Sequence, residues 1–169
     1  MTKINIKTKD IDRGWRGIVR QAGRLNKTFV QVGLQAGDKA DKRVVNDGVD
    51  SVVTSDTDIA LVAAWNEFGT NNIPSRPFMR NAWDRHEDEL NKRIKAEWAA
   101  ITAGKKTAEN SLELLGAWHQ NKIQMEIVNG DYVANAPYTV QRKGSSRPLI
   151  DTGRMRQSIR YVIKQGGGS

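Results

Sequence analysis

Residues 65–80 constrain the fold of this chain most, because they cannot lie inside one regular helix or strand. They read Trp-Asn-Glu-Phe-Gly-Thr-Asn-Asn-Ile-Pro-Ser-Arg-Pro-Phe-Met-Arg, with a glycine at 69 and prolines at 74 and 77. Gly69 permits a turn with positive φ. Each proline fixes its own φ and holds the preceding residue extended. The segment is therefore a shaped connection, and Pro77 suits the first turn of a following helix.

The side chains of this connection are aromatic, charged and apolar, unlike those of a flexible linker. They favour a contact surface, and a loop that packs only on its own domain is the alternative. We expect Phe78 to fill either the core of its own domain or a pocket on a neighbour. Because Pro77 holds Arg76 extended, its guanidinium is expected to form a forked pair. The candidate partners are Glu67 and an acidic residue of an adjacent subunit, for example on segment 36–58.

The charge is distributed unevenly along the chain, which has a net charge of +8. Residues 1–35 carry eight Lys/Arg and two Asp, whereas residues 36–58 carry three Lys/Arg and six Asp. Residues 59–129 are balanced, with nine of each sign, and residues 130–169 carry seven Lys/Arg and two Asp. Basic ends of this kind suit nucleic acid or an acidic protein face, and a solvated surface is the ordinary alternative.

The first predicted element is an amphipathic helix over residues 10–27. Its apolar positions recur at helical spacing, and its glycines at 14, 17 and 23 weaken it, so docking of the apolar face must hold it. The opposite face carries a basic ridge, which consists of Arg13, Arg16, Arg20, Arg24 and Lys27. We considered solvent, an acidic protein partner and DNA for this ridge. No aromatic residue interleaves it, which disfavours DNA.

Alternating apolar residues predict strands at 28–34 and 160–164 that pair with each other. Between residues 36 and 58, two short runs flank Asn46-Asp47-Gly48, a turn signal that predicts a β-hairpin. The acidic bias of this segment suggests a protruding arm that orders on contact, and a disordered loop is the alternative.

Three helices are predicted between the strands. A short one over 59–67, capped by Asp56, Thr57 or Asp58, is apolar nearly all round and should be buried, with a strand as the alternative. Two long helices follow at 77–103 and 107–128 and should form an antiparallel hairpin. Gly116 lies inside the second, where it allows close approach of another element. Residues 130–150 look irregular, and Asp151 or Thr152 caps a helical turn before the last strand.

These elements predict an α+β fold. A small, mostly antiparallel β-sheet packs against the N-terminal amphipathic helix and the long helical hairpin, with an extended arm or loop at 36–58. We assign residues 1–164 to a single domain and residues 165–169 to a flexible tail.

The chain has no cysteine and a mean hydropathy of −0.62, with no apolar run of membrane-spanning length and no signal-peptide pattern at residues 1–9.

Motifs for catalysis, metals and cofactors are missing. No phosphate-binding loop, dinucleotide fingerprint or nucleophile elbow occurs. His86 and His119 lie on neighbouring helices, where a shared metal is conceivable, but packing or an interface explains them better. Asp151-Thr152-Gly153 is the tripeptide of aspartic proteases, yet it precedes a polar helix, so chance explains it better. We therefore expect no enzyme and no cofactor.

Two segments together resemble a known family. Residues 64–80, with Asn-Glu-Phe-Gly-Thr leading to Ile-Pro-Ser-Arg-Pro-Phe, look like one family signature. Residues 148–159, Pro-Leu-Ile-Asp-Thr-Gly-Arg-Met-Arg-Gln-Ser-Ile, look like its partner signature. Both are similar to the small neck or tail-completion proteins of tailed bacteriophages, also called virion morphogenesis or minor tail proteins. The resemblance spans about residues 28–164.

The resemblance implies a structural virion protein that completes the phage neck or tail and joins tail to head as a ring. It implies assembly in the host cytoplasm, a homo-oligomeric ring of six or twelve subunits, and neighbours among neck, connector, tail-terminator and tail-tube proteins. Passing contact with genomic DNA is conceivable, and a basic nucleic-acid-binding module is the alternative function. The candidate interface residues are Trp65, Glu67, Phe68, Arg76, Phe78, Arg80, Asp151 and Arg154.

Overall fold

The computed structural model describes residues 14–35, 37–46 and 49–166, which form an α+β fold with a helical hairpin, as predicted. The helices are α1 (Trp15–Leu25), α2 (Ile59–Phe68), α3 (Phe78–Thr102), α4 (Ala108–Asn129), α5 (Pro137–Lys143) and α6 (Arg154–Gln157). The strands are β1 (Thr28–Leu34), β2 (Lys39–Asn46), β3 (Val49–Asp58) and β4 (Ile159–Gln165). The strands form two separate two-stranded sheets instead of one small sheet.

The first and last strands pair with each other, as predicted. β1 and β4 are antiparallel, in a register that joins Thr28 to Gln165 and Leu34 to Ile159. The pairing continues one residue further, because the Gly166 N–H donates to the Lys27 carbonyl at 2.7 Å. Gln165 therefore belongs to β4, whereas we had assigned it to the flexible tail. Residues 167–169 of that predicted tail lie outside the described residues.

α3 and α4 form the predicted hairpin, and α4 also packs against the β1–β4 sheet. The close approach predicted at Gly116 is confirmed. A Cβ atom added there would lie 2.7 Å from Val30 Cγ2 and 2.8 Å from the Tyr161 ring. The N-terminus of α4 is capped by Thr107, whose hydroxyl accepts the Asn110 N–H, also as predicted.

The core lies where α2, α3, α4 and β4 converge. Its most deeply buried large side chains are Phe78, Ile123, Ile127 and Ile159. Phe78 is fully buried among residues of its own chain. Of the two positions expected for it, it therefore occupies the core of its own domain and not a pocket on a neighbour. It anchors the start of α3 in the core and offers no surface to a neighbour.

The β-hairpin predicted within 36–58 is confirmed by the antiparallel pairing of β2 and β3, although its turn at 47–48 lies outside the described residues. Its base is fastened to the body. The Ile59 N–H donates to the Asp38 carbonyl at 2.8 Å, and Arg160 forms an ion pair with Asp38. The Asp58 carboxylate accepts hydrogen bonds from the N–H groups of Gly37 and Ala60, and the second of these caps α2. The two hydrogen bonds stabilise the charged carboxylate and so lower the pKa of Asp58.

α1 is held more loosely than we expected. It begins at Trp15, and residues 10–13 of the predicted helix lie outside the described residues. None of its residues is buried, and Trp15 is 68% exposed, so the apolar face that we expected to dock does so only in part. Only the side with Ile18 and Leu25 faces the body, where Gln21 Oε1 also accepts the Ala108 N–H at 2.9 Å.

Residues 130–150 are less irregular than predicted, because they contain α5. The signals for it were in the sequence: Pro137 is the first residue of the helix, and Gly144 ends it with a φ of 65°. Proline at the start and glycine after the end are typical helix boundaries, so the expectation of an irregular segment did not take account of them. Among the described helices, none is long and apolar enough to cross a membrane.

Candidate functional site

The two segments that carry the family resemblance lie beside each other around one cavity of about 430 Å³. One wall comes from α2 and the loop that follows it, and the opposite wall comes from α5 and residues 149–155. The base of the β2–β3 hairpin closes one side. The lining includes Asp41, Val62, Asn66, Ile73, Arg76, Thr139, Arg142, Leu149, Asp151 and Arg154.

Arg76 is only 5% exposed and joins the two walls. Its Nε donates to the Val133 carbonyl at 2.9 Å, and its Nη2 donates to the Ala134 carbonyl at 3.3 Å and to Asn135 Oδ1 at 3.2 Å. Nη1 lies 3.5 Å from Asn66 Oδ1. The expected pair with Glu67 is wrong, because these acceptors are neutral amide oxygens. Burial lowers the pKa of Arg76.

Glu67 is also buried, but it contacts the start of α3 instead of Arg76. Its two carboxylate oxygens accept the N–H groups of Met79 and Arg80 at 2.9 and 3.1 Å. These N–H groups belong to the first turn of α3, where they have no partner within the helix and where the helix dipole favours a negative charge. Glu67 therefore caps α3 from the preceding helix and sets the angle between α2 and α3.

The loop between α2 and α3 is tightly folded on itself. Gly69 has a φ of 78°, and an added Cβ would lie 2.9 Å from the Ser75 backbone nitrogen. The Ser75 hydroxyl donates to the Glu67 carbonyl at 2.9 Å, and the Thr70 N–H donates to the Ile73 carbonyl at 2.8 Å. The predicted turn at Gly69 is confirmed, and this part of the loop packs on its own domain.

The segment opposite Arg76 is positioned by Tyr132. Its hydroxyl donates to the Glu126 carbonyl and carboxylate, both at 3.1 Å, and Glu126 is also paired with Arg85 at 3.0 Å. Burial is the main reason that the pKa of Tyr132 is raised, and the Glu126 charge adds to it. Val133 and Ala134, whose carbonyls accept hydrogen bonds from Arg76, directly follow Tyr132 in the chain.

The second resemblance segment enters the cavity through a strained turn. Leu149 has a φ of 60°, and the Ile150 N–H donates to the Pro148 carbonyl at 2.7 Å, which together form a γ-turn. Leu149 is nevertheless buried, so packing outweighs the strain. Asp151 and Arg154 are half-buried, and Arg154 Nε donates to the Lys39 carbonyl at the hairpin base, at 3.3 Å.

One face of α2 is apolar and exposed, against the prediction that the whole helix is buried. Ile59, Ala63 and Glu67 form the buried face. The other face carries Leu61, Trp65 and Phe68, which are 47%, 38% and 71% exposed. Because the helix is apolar on nearly every side, its composition did not reveal which side meets the core. We refer to Leu61, Trp65 and Phe68 as the α2 face.

The described residues of the basic ridge lie away from the cavity. Arg16, Arg20 and Arg24 are exposed on α1, as predicted, and Lys27 is exposed in the turn that follows it. Arg13 lies outside the described residues. Arg80 is exposed in the first turn of α3. The structure therefore separates the sequence-predicted residues. Arg76, Asp151 and Arg154 line the cavity, Trp65 and Phe68 lie on the α2 face, and the described ridge residues lie on or just after α1. The other three lie elsewhere, because Glu67 caps α3, Phe78 lies in the core and Arg80 is exposed on α3.

The two histidines pack within an aromatic cluster between α3 and α4. The His119 ring centroid lies 5.8 Å from that of Trp83, and the His86 centroid lies 6.1 Å from that of Trp118. Arg93 lies over the Trp118 ring at 4.9 Å. Burial, with a smaller contribution from His86, lowers the pKa of His119. No group of metal-ligating side chains occurs among the described residues.

Sequence reasoning missed Arg142 as a residue of the cavity, because α5 was not predicted.

Comparisons of the chain with protein-family models, with curated proteins and with solved structures found no match. The two resemblance segments and their geometry are therefore what the functional assignment depends on.

Proposed function

We propose that this protein is a structural virion protein of a tailed bacteriophage, which joins tail to head as a ring at the junction. The observation that carries the proposal is the α2 face. Leu61, Trp65 and Phe68 form an apolar helical stripe that is 38–71% exposed among the described residues, directly before the loop that leads into α3. Contiguous exposed apolar side chains of this kind mark interaction sites in soluble proteins.

The juxtaposition of the two resemblance segments supports the same proposal. They are separated by about 70 residues in the chain, yet both line the cavity beside α2. A ring requires two different surfaces on each subunit that meet head to tail. The α2 face supplies an apolar surface for one side, and the acidic hairpin and basic α1 ridge supply complementary charges. We favour six subunits, with twelve as the alternative, and neck, connector, tail-terminator or tail-tube proteins as neighbours.

The test is the mass of the assembly with and without isolated phage tails, by native mass spectrometry and cryo-EM class averages. We expect a ring on the tail, even if the free protein is monomeric and requires that template. The Leu61→Ser/Phe68→Ser double variant should keep the monomer's melting temperature and lose the ring. Tyr138→Ser is the matched control, since Tyr138 is an equally exposed aromatic residue on α5. A neck reconstruction without density for this chain at the junction would refute the proposal.

A basic nucleic-acid-binding module remains the second candidate. It is favoured by the exposure of Arg16, Arg20 and Arg24 on α1 and of Lys27 in the turn that follows it. Binding of this type loses affinity steeply with salt, because phosphate contacts release counterions. A DNA affinity that falls with salt and weakens in the Arg20→Gln/Arg24→Gln variant would support it. If DNA binding were absent or independent of salt, the ridge would instead face a protein partner or solvent.

A further inference from the structure

The cavity between α2 and α5 has an excess of positive charge on its walls. Its cations are Arg76, Arg142, Lys143 and Arg154, and its anions are Asp41 and Asp151, so the formal charge of the lining is +2. Arg142 forms no hydrogen bond or ion pair with the described part of the chain, although it lines the opening.

Arg76 adds a buried charge without a described counter-ion. All its side-chain hydrogen bonds within the described residues end on uncharged amide oxygens, and the bond from Nη1 to Asn66 is at the 3.5 Å limit. A buried charge is costly unless it is paired, and hydrogen bonds to neutral groups offset only part of that cost. An anion that entered the cavity would therefore gain a desolvated, fixed guanidinium.

The rest of the lining is apolar. Ile59, Val62, Leu149 and Met155 contribute to the same walls. The volume of about 430 Å³ lies within the usual range for ligand sites, which combine apolar walls with a few placed polar groups. This mixture suits a carboxylate attached to apolar groups better than a bare inorganic anion.

We propose that this cavity binds an acidic side chain flanked by apolar residues, presented by another polypeptide chain. The carboxylate would meet Arg76 and Arg142, and its apolar neighbours would cover Val62 and Leu149. A nucleic acid fits less well, because it requires a continuous basic track with stacking platforms. Here Asp41, Asp151 and the apolar wall interrupt such a track. The inference depends on the cavity alone and holds whether or not the protein forms a ring.

The test uses the full chain and the peptide acetyl-Ile-Glu-Leu-amide, with the corresponding glutamine peptide as its neutral match. Calorimetric titration measures affinity, and the NMR signal of the Arg76 Nε–H reports where the peptide lies. We expect the glutamate peptide to bind about tenfold more tightly than the glutamine peptide. Arg142→Gln should remove that preference. Arg147→Gln, an exposed arginine outside the cavity lining, should retain it.

Four outcomes would overturn the proposal. They are absence of peptide binding at millimolar concentration, equal affinity for the two peptides, an unchanged preference in Arg142→Gln, and an Arg76 signal that does not move. A thymidine oligonucleotide that displaces the peptide and itself requires Arg142 would assign the cavity to nucleic acid instead. Because each measurement uses the isolated chain, failure to form a ring affects none of them.

Discussion

Arg76 connects parts of the chain that are far apart in sequence, so its loss should affect the fold itself. Arg76→Ala removes a buried side chain whose hydrogen bonds to the carbonyls of Val133 and Ala134 join the two walls of the cavity. We expect a loss of about 3 kcal/mol of unfolding free energy. For a chain of this size, that corresponds to a fall of roughly 6–12 °C in the melting temperature of the monomer.

Arg80→Ala is the control, because Arg80 is exposed and only its backbone N–H contacts Glu67. It should change the melting temperature by less than about 2 °C. If Arg76→Ala melted like the unchanged protein but failed to assemble, Arg76 would belong to a subunit contact instead.

Sequence alone did not identify the partners of Arg76. Pro77 restricts the backbone of Arg76 locally, but this restriction does not determine which acceptors the guanidinium reaches. The acceptors are backbone carbonyls 57 and 58 positions further on, and every residue has such a carbonyl. No side-chain pattern marks them, whereas the search for a carboxylate led to Glu67, which instead caps α3.

At the scale of elements, two helical glycines should respond in opposite ways to alanine. Alanine normally stabilises a helix interior by about 1 kcal/mol relative to glycine. Gly17 in α1 has open space around an added Cβ, so Gly17→Ala should raise the unfolding free energy. At Gly116 the added Cβ meets the side chains of Val30 and Tyr161 at less than 3 Å, so either these side chains or α4 must shift. Gly116→Ala should cost about 1–3 kcal/mol.

Urea unfolding of both variants measures these effects. A stabilising Gly116→Ala would mean that α4 and the β1–β4 sheet are further apart than described. The comparison with Gly17→Ala removes the effect of helix propensity, which both substitutions share.

The contact between α3 and α4 should make stability depend on pH. Burial lowers the pKa of His119 in the folded protein, so the unfolded chain takes up its proton first as the pH falls. The stabilisation is complete above the unfolded pKa of about 6.5 and is lost as the pH falls towards the folded pKa. We expect the melting temperature to decline between pH 7 and 5, and less so in His119→Gln. An equal decline in both proteins would place its origin elsewhere.

Element boundaries were predictable where a side chain caps a helix end. Asp58 and Thr107 were both anticipated, and both accept backbone N–H groups as caps. The burial of α2 was wrong because an all-apolar helix has no polar side to orient it. The loose docking of α1 was also missed, since periodicity predicts an apolar face but not how much of it is covered.

For the whole molecule, the hairpin should be the least protected part of the sheet structure. Two strands alone are marginally stable, and within the described residues this pair is fastened to the body at its base, through Asp38, Asp58, Arg154 and the buried Ala40. In the isolated protein, amides near Lys42 and Val53 should exchange faster than those of β1. In an assembly that covers the hairpin, their exchange should slow. Equal protection of both sheets in the monomer would contradict a free-standing arm.

The pairing of β1 with β4 also has a consequence for synthesis. The partner of residues 28–34 is made after more than 120 further residues, and it brings the fully buried Ile159 into the core. A growing chain can form its helices early, but it cannot close this sheet until β4 has been translated. A ribosome-bound or truncated chain that stops before Ile159 should therefore stay protease-sensitive, so that no copy reaches its partners in folded form before β4 has been made.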